Sequence, residues 1–247
     1  MIPTLTLANA GARQNQLLAM LPDADWRRWQ LQLECVELSL GQVLSESGST
    51  PDWVYFPTTA IVSLLYMTQD GESSEIAVVG KDGVVGISLF MGGNATPSSA
   101  VVQSAGQAYR LRAQEIRHEV NRAGPVLSML LRYTHTMIAQ VAQTAACNRY
   151  HSIDQLLCRR LLLALDRSPT SQLVMTQELV ANLLGVRREG VTAAALKLQQ
   201  AGVIRYSRGH IAVLDRQRLE QRTGGGLSAP RLARGHRAAA SRLPLAA

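Results

Sequence analysis

The sequence predicts an α+β chain in three parts: an N-terminal antiparallel β-roll of jelly-roll plan with flanking helices, one long helix, and a C-terminal pair of short helices backed by a β-hairpin. Three observations carry that prediction. Short β-prone runs broken by turn residues fill 36–111; an apolar stripe near the 3.5-residue period fills 124–150; and Met175 to Leu214 reads as helix, glycine turn, helix, hairpin.

Taken in chain order, Asn15 to Gln32 reads as helical, with Leu17, Leu18 and Leu21 ahead of Pro22 and a second segment around Trp26 and Trp29, which suits a cap on the roll. The β-prone runs that follow include Trp53 to Phe56, Ile61 to Met67, Glu75 to Val79, Val84 to Phe90, Ala100 to Gln103 and Ala108 to Leu111. Pro57, Asp70-Gly71, Gly80, Asp82-Gly83, Gly92-Gly93 and Gly106 separate most of them at a spacing typical of antiparallel sheets, without room for crossover helices. In the long helix Leu127, Leu130 or Leu131, Thr134, Met137 or Ile138, Val141 and Ala145 form the stripe; a coiled-coil dimer seam and packing on its own domain both fit it. Ser152 to Leu165 reads as a further apolar helix, placing a hinge around Asn148 to His151.

Met175 to Leu214 predicts a winged helix-turn-helix. Thr176 is a suitable N-cap, Leu179, Val180, Leu183 and Leu184 line one helical face, and Gly185 can adopt the left-handed conformation that ends a helix. The next helix buries Val191, Ala194, Ala195 and Leu198, leaving Arg188, Glu189 and Thr192 largely off that stripe. Gly202 stops it, and Val203 to Tyr206 with Ile211 to Leu214 flank Ser207-Arg208-Gly209-His210 as the wing. Arginine can donate twice to guanine and glutamate can accept from the cytosine amino group, so Arg188-Glu189 suits a major groove. An isolated Arg-Arg-Glu run would suit a solvated basic face better; small Ala181 at the helix crossing, the glycine turn and the adjoining wing point instead to DNA.

With 247 residues, 47% of them hydrophobic and 17% charged, the chain can bury more than one core. The expected division is a sensor over 1–123, the long dimerisation helix and hinge over 124–150, a DNA-binding unit over 151–222 and a basic, disordered tail over 223–247. Residues 1–120 hold 7 Lys+Arg against 12 Asp+Glu, a balance of −5, and residues 121–247 hold 18 against 6, a balance of +12. The second half is the half suited to a polyanion. No apolar run approaches the ~20 residues of a membrane span, and Met1 to Ala19 lacks the order of a secretory signal. A cytoplasmic protein without membrane contact is expected. Cys35, Cys147 and Cys158 are odd in number and lack CxxC spacing, which predicts buried free thiols and neither a disulfide framework nor a zinc knuckle.

Thr176, Gly185, Arg188, Glu189 and Val191, with Leu198, Gly202 and Ile204 behind them, and Gly86, Leu89, Phe90 and Ser99-Ala100 in the front half, resemble the Crp/Fnr family of bacterial transcription regulators over roughly 17–220. The resemblance implies a cyclic-nucleotide-binding-like roll, a homodimer on a palindromic DNA operator with half-sites about 34 Å apart, and RNA polymerase as a further partner. It also implies that Arg188 and Glu189 read base edges and that Thr176 and Gln177 touch phosphate; Arg187, Thr192 and Arg208 complete the expected DNA-binding set. An effector pocket would be lined by Gly86, Ile87, Ser88, Ser98 and Ser99.

The chain departs from the family at that pocket. Ile87 and Ser98 stand where cyclic-AMP-binding members carry the glutamate that holds the ribose and the arginine that neutralises the phosphate, so cyclic AMP is not expected as the effector. A neutral ligand and an empty, structural roll both fit the small and apolar lining. Three scattered cysteines do not form an iron-sulfur site, and His118, His135, His151, His210 and His236 lack the close spacing of a metal pair, so no cofactor is expected. A cupin-like enzyme would need histidines in the roll, and 36–111 contains none; a non-enzyme is expected. A sensor whose helix-turn-helix docks a protein partner is the remaining alternative. Within the DNA module, Arg187 replaces the usual capping Ser or Thr, and Gly190 lies in the first helical turn, where it would allow close approach to the DNA backbone. Past Glu220 the tail has Arg222, Arg231, Arg234, Arg237 and Arg242 and no acid, which fits either extra phosphate contacts or a solvated terminus.

Overall fold

A computed structural model describes residues 11–70, 73–93, 95–167, 172–207 and 209–224. The expectations for Arg208 and for 225–247 of the tail lie outside the described residues.

The chain opens with two short helices, α1 (Gln16–Ala19) and α2 (Asp23–Trp29), held to the roll by Asn15. The Asn15 carboxamide caps α1 by accepting from Leu17 N and Leu18 N, and its Nδ2 donates to Pro57 O and Gly83 O, both at 2.9 Å. One buried side chain thereby satisfies four backbone groups that would otherwise be orphaned. Trp29 then packs on Phe56 with ring centroids 5.8 Å apart.

The roll consists of two antiparallel sheets. Strands β1 (Glu34–Leu38), β3 (Trp53–Pro57) and β7 (Gly106–Arg112) form one, in the order β1-β7-β3; β2 (Val43–Ser45), β4 (Ile61–Met67), β5 (Ser73–Val79) and β6 (Ser99–Ser104) form the other, in the order β2-β6-β4-β5. Val54, Phe56, Val62, Ala77, Val79, Ala100, Val102 and Leu111 face the space between them and are buried. The run Val84 to Phe90 is not the strand its composition predicts. Only Val85 bridges Tyr55, after which Gly86 takes φ +102° and the chain turns into a single 3-10 turn over Ile87–Phe90.

A helix absent from the sequence-based expectation, α3 (Ala113–Arg122), follows the roll and buries Ala113 and Ile116. Its Glu119 accepts from Arg28 of α2 at 3.0 Å, and Arg28 also pairs with Asp25, so the two flanking helices are tied together. The long helix α4 (Pro125–Tyr150) starts with Pro125 in its first turn, where a missing N–H costs nothing. Val126, Met129, Leu130, Tyr133 and Met137 join the core of the roll. The stripe expected along this helix therefore resolves: Leu130, Thr134 and Met137 pack on their own domain, while Leu131 and Ile138 remain 51% and 57% exposed.

Helix α5 (Ile153–Arg167) leads into the second core, completed by β8 (Gln172–Val174), α6 (Gln177–Leu184), α7 (Arg188–Gln200), β9 (Ile204–Ser207), β10 (His210–Val213) and α8 (Arg216–Gln221). Leu157, Leu161, Leu162, Val180, Val191, Leu198, Ile204 and Ile211 are buried in it. The wing is a three-stranded sheet in the order β8-β10-β9, one strand more than the predicted hairpin. Pairing of Ser207 with His210 also shortens its loop to two residues. Among the described residues no helix is long and apolar enough to cross a membrane. Cys147 and Cys158 are buried free thiols as expected, whereas Cys35 is exposed on the edge strand β1, where it pairs with Tyr109 of β7. Burial pushes the Cys158 thiol up to about 11.

Candidate nucleic-acid interface

The interface grows from two caps and a turn. Thr176 lies in extended backbone and its Oγ1 accepts from Leu179 N at 3.1 Å, starting α6. Gly185 at φ +63° ends that helix in a left-handed conformation that side-chain-bearing residues rarely adopt, and Val186 N donates to Ala181 O at 3.1 Å to close the turn. Helix α7 then starts at Arg187, which occupies the N-cap without a side-chain cap bond. Ala181, 4% exposed, is the small residue at the crossing of α6 and α7.

Val191, Ala194, Ala195 and Leu198 turn inward, which leaves Arg187, Arg188 and Glu189 exposed at the first turn of α7. Among the described residues none of the three forms an ion pair, unlike Lys197 further along, which pairs with Asp154 at 2.9 Å. Thr192 does something different from what its position predicts. Its hydroxyl lies 2.8 Å from Gln177 Oε1 and 3.0 Å from Arg188 O, so it fastens the second helix to the start of the first. With its carbonyl oxygen engaged there, the Gln177 amide donors have no hydrogen-bond partner among the described residues.

Thr176, Gln177, Arg188 and Thr192 line one cleft of about 440 Å³, together with Ala195, Leu196, Gln199, Tyr206 and Gly209. The cleft runs between α7 and the wing. The Tyr206 hydroxyl donates to Met175 O at 2.7 Å, and burial raises the phenol against the lowering effect of Arg188, so it stays a neutral donor. Leu196, Gln199 and Tyr206 were missed in the sequence. Leu196 lies one turn beyond Thr192 on the same face, a spacing that carries the signal for it; it is 52% exposed.

Gly190 does not face outward. A Cβ there would lie 2.7 Å from Ile153 Cδ1, so the missing side chain makes room for α5 and not for a DNA backbone. That contact is with the far end of a side chain, and alanine adds up to about 1 kcal/mol of helix propensity. Gly190→Ala is expected to leave operator affinity unchanged and unfolding free energy within about 1 kcal/mol of wild type. Lost affinity at unchanged stability would place Gly190 against DNA after all.

In the roll, Gly86 makes the turn described above, Ile87 is half-buried, and Ser88, Ser98 and Ser99 are buried. Ser99 Oγ accepts from Ser47 N at 3.0 Å and reaches Glu46 at 3.3 Å, so its hydroxyl is engaged by the 46–47 loop. Ser88 Oγ is buried without a hydrogen-bond partner among the described residues. No charged side chain stands at Ile87 or Ser98 to meet a phosphate. Among the described residues no group of three or more His, Cys, Asp or Glu is placed to hold a metal.

Residues 35–123 match the cyclic nucleotide-binding domain family, and residues 156–222 match the Crp-like helix-turn-helix domain family. Among solved structures the fold is similar to FixK2 from Bradyrhizobium japonicum, at 16% identity over 78% of this chain and 98% of that one, with a TM-score of 0.67. It is also similar to TTHB099, a transcriptional regulator of the CRP family from Thermus thermophilus, at 18% identity over 78% and 99% of the two chains, with a TM-score of 0.65. No curated protein matches the sequence.

Proposed function

We propose that the chain, whose residues 35–123 and 156–222 match the cyclic nucleotide-binding and Crp-like helix-turn-helix domain families, is a transcriptional regulator of Crp/Fnr type that binds double-stranded DNA as a homodimer and reads base edges with Arg188 and Glu189. The observation that carries this reading is the first turn of α7, where an arginine and a glutamate stand exposed, without an ion pair among the described residues and beside a cleft open toward the wing. Gln177 with its free amide and Thr176 would hold phosphate, Arg187 and Arg208 would add positive charge, and Thr192 would act by positioning. The excess of basic residues in the second half supports the same assignment.

The dimer would form along α4. Leu131, His135, Ile138, Ala142 and Ala145 alternate four and three residues apart on its exposed side, the spacing of a coiled-coil seam. The roll would pass a signal to the DNA-binding half, and Ile87 and Ser98 support a signal other than cyclic AMP. This reading needs no catalytic chemistry.

Selection of duplexes from a random pool tests the proposal. Wild-type protein is expected to enrich a palindrome, and Arg188→Ala to lose preference at one base position per half-site, at a cost of about 1 to 3 kcal/mol. Enrichment of no palindrome by the wild type would end the DNA reading.

A further inference from the structure

The seam between the roll and α5 has a charge surplus that its own residues do not balance. Arg159, Arg160 and Arg167 all project from α5 and are 7%, 2% and 6% exposed. Two carboxylates meet them. Glu75 of β5 contacts Arg160 Nη2 at 3.0 Å, and Asp82, after β5, contacts Arg167 at 3.1 Å. Ser63 Oγ on β4 supports Glu75 at 2.5 Å, and Gln103 on β6 accepts from Arg160. Arg159 donates to Thr144 Oγ1 of α4, a neutral partner at 3.4 Å, and the Cys147 thiol and Glu75 act on it through space without a hydrogen bond. Among the described residues three buried cations thus face two carboxylates there, and burial pulls both Arg159 and Arg160 below their ordinary pKa.

A small gap lies at this place. It measures about 20 Å³ and is lined by Arg159, Arg160, Glu75, Gln140, Thr144 and Asn148. Arg160 Nε and Nη1 are buried without a hydrogen-bond partner among the described residues. A water would fit the volume and satisfy donors, but it leaves the charge unbalanced, and an uncompensated buried charge costs several kcal/mol. An anion answers both deficits. The gap is about the size that holds one water or one monatomic ion.

We propose that this seam is an anion site holding one halide-sized monovalent anion, such as chloride, between Arg159 and Arg160. Its walls come from β5, α4, α5 and α6, so the bound anion joins the sensor roll to the DNA-binding half and favours their docked arrangement. The assignment does not depend on what α7 binds.

Thermal unfolding of the full-length chain tests it, with chloride or bromide replacing gluconate at fixed ionic strength so that screening is constant. The Tm is expected to rise saturably with halide, by about 2 to 4 °C. Arg159→Met keeps the Glu75–Arg160 pair and should remove the halide-dependent rise. Bromide-soaked crystals should give an anomalous peak within hydrogen-bonding reach of both guanidinium groups. Equal Tm in chloride and gluconate, an undiminished rise in Arg159→Met, or no bromide peak at the seam would each overturn the proposal.

Discussion

Aspartate at both Leu131 and Ile138 is expected to give a folded monomer that binds its operator about 10²- to 10⁴-fold more weakly than the wild type. Both side chains are more than half exposed in the protomer, so the substitutions remove little of its core. In a dimer joined along α4 the same positions would bring four carboxylates into one seam, seven residues apart on each helix. The loss of affinity follows because two half-sites on one operator reward only a linked pair of recognition helices. Sedimentation equilibrium reads the mass, and fluorescence anisotropy with a labelled operator reads the affinity. A variant that stays dimeric would move the interface off this stripe.

Glu75→Ala is expected to cost about 3 to 5 kcal/mol of unfolding free energy, read as a lower urea midpoint. Glu75 is the carboxylate that meets Arg160 at 3.0 Å, and its removal leaves a guanidinium that is 2% exposed with Gln103 as its remaining hydrogen-bond partner among the described residues. Most of the penalty is that stranded charge, because the pair itself is offset by the desolvation of both partners. Burial raises the Glu75 carboxyl despite Arg160 beside it, in line with that balance. The double variant Glu75→Leu with Arg160→Met is accordingly expected to be more stable than Glu75→Ala. If the single variant unfolds like wild type, the seam does not hold the two halves together.

Much of the helix-turn-helix was legible because its signals are local. Thr176 caps α6 through a bond to a backbone N–H three residues away, and Gly185 ends that helix through its own backbone angle. The inward face of α7 follows from spacing alone. Elsewhere local composition misled. Val84 to Phe90 is β-rich, yet Gly86 breaks it at a turn that forms only where the chain crosses Val54. Ala113, Ile116 and Val120 have helical spacing, but among so many β-prone runs this polar segment did not stand out. Its angle on the helical wheel puts Thr192 off the buried stripe, and its bond to Gln177 arises from packing of a second helix.

The amino-acid sequence by itself determined the order of roll, long helix and helix-turn-helix, the position of the second helix of that motif, and the absence of a glutamate and an arginine at Ile87 and Ser98. Each depends on periodicity, on a cap within four residues, or on the identity of one side chain. Only the tertiary structure decided which side of α4 is free, that Gly190 accommodates Ile153, and that Arg159, Arg160 and Arg167 lie buried against the sensor. The leucine spacing along α5 gives no sign of their burial. Their partners Glu75, Gln103 and Asp82 come from distant parts of the chain, and electrostatic energy depends on separation in space and on dielectric, neither of which sequence spacing encodes.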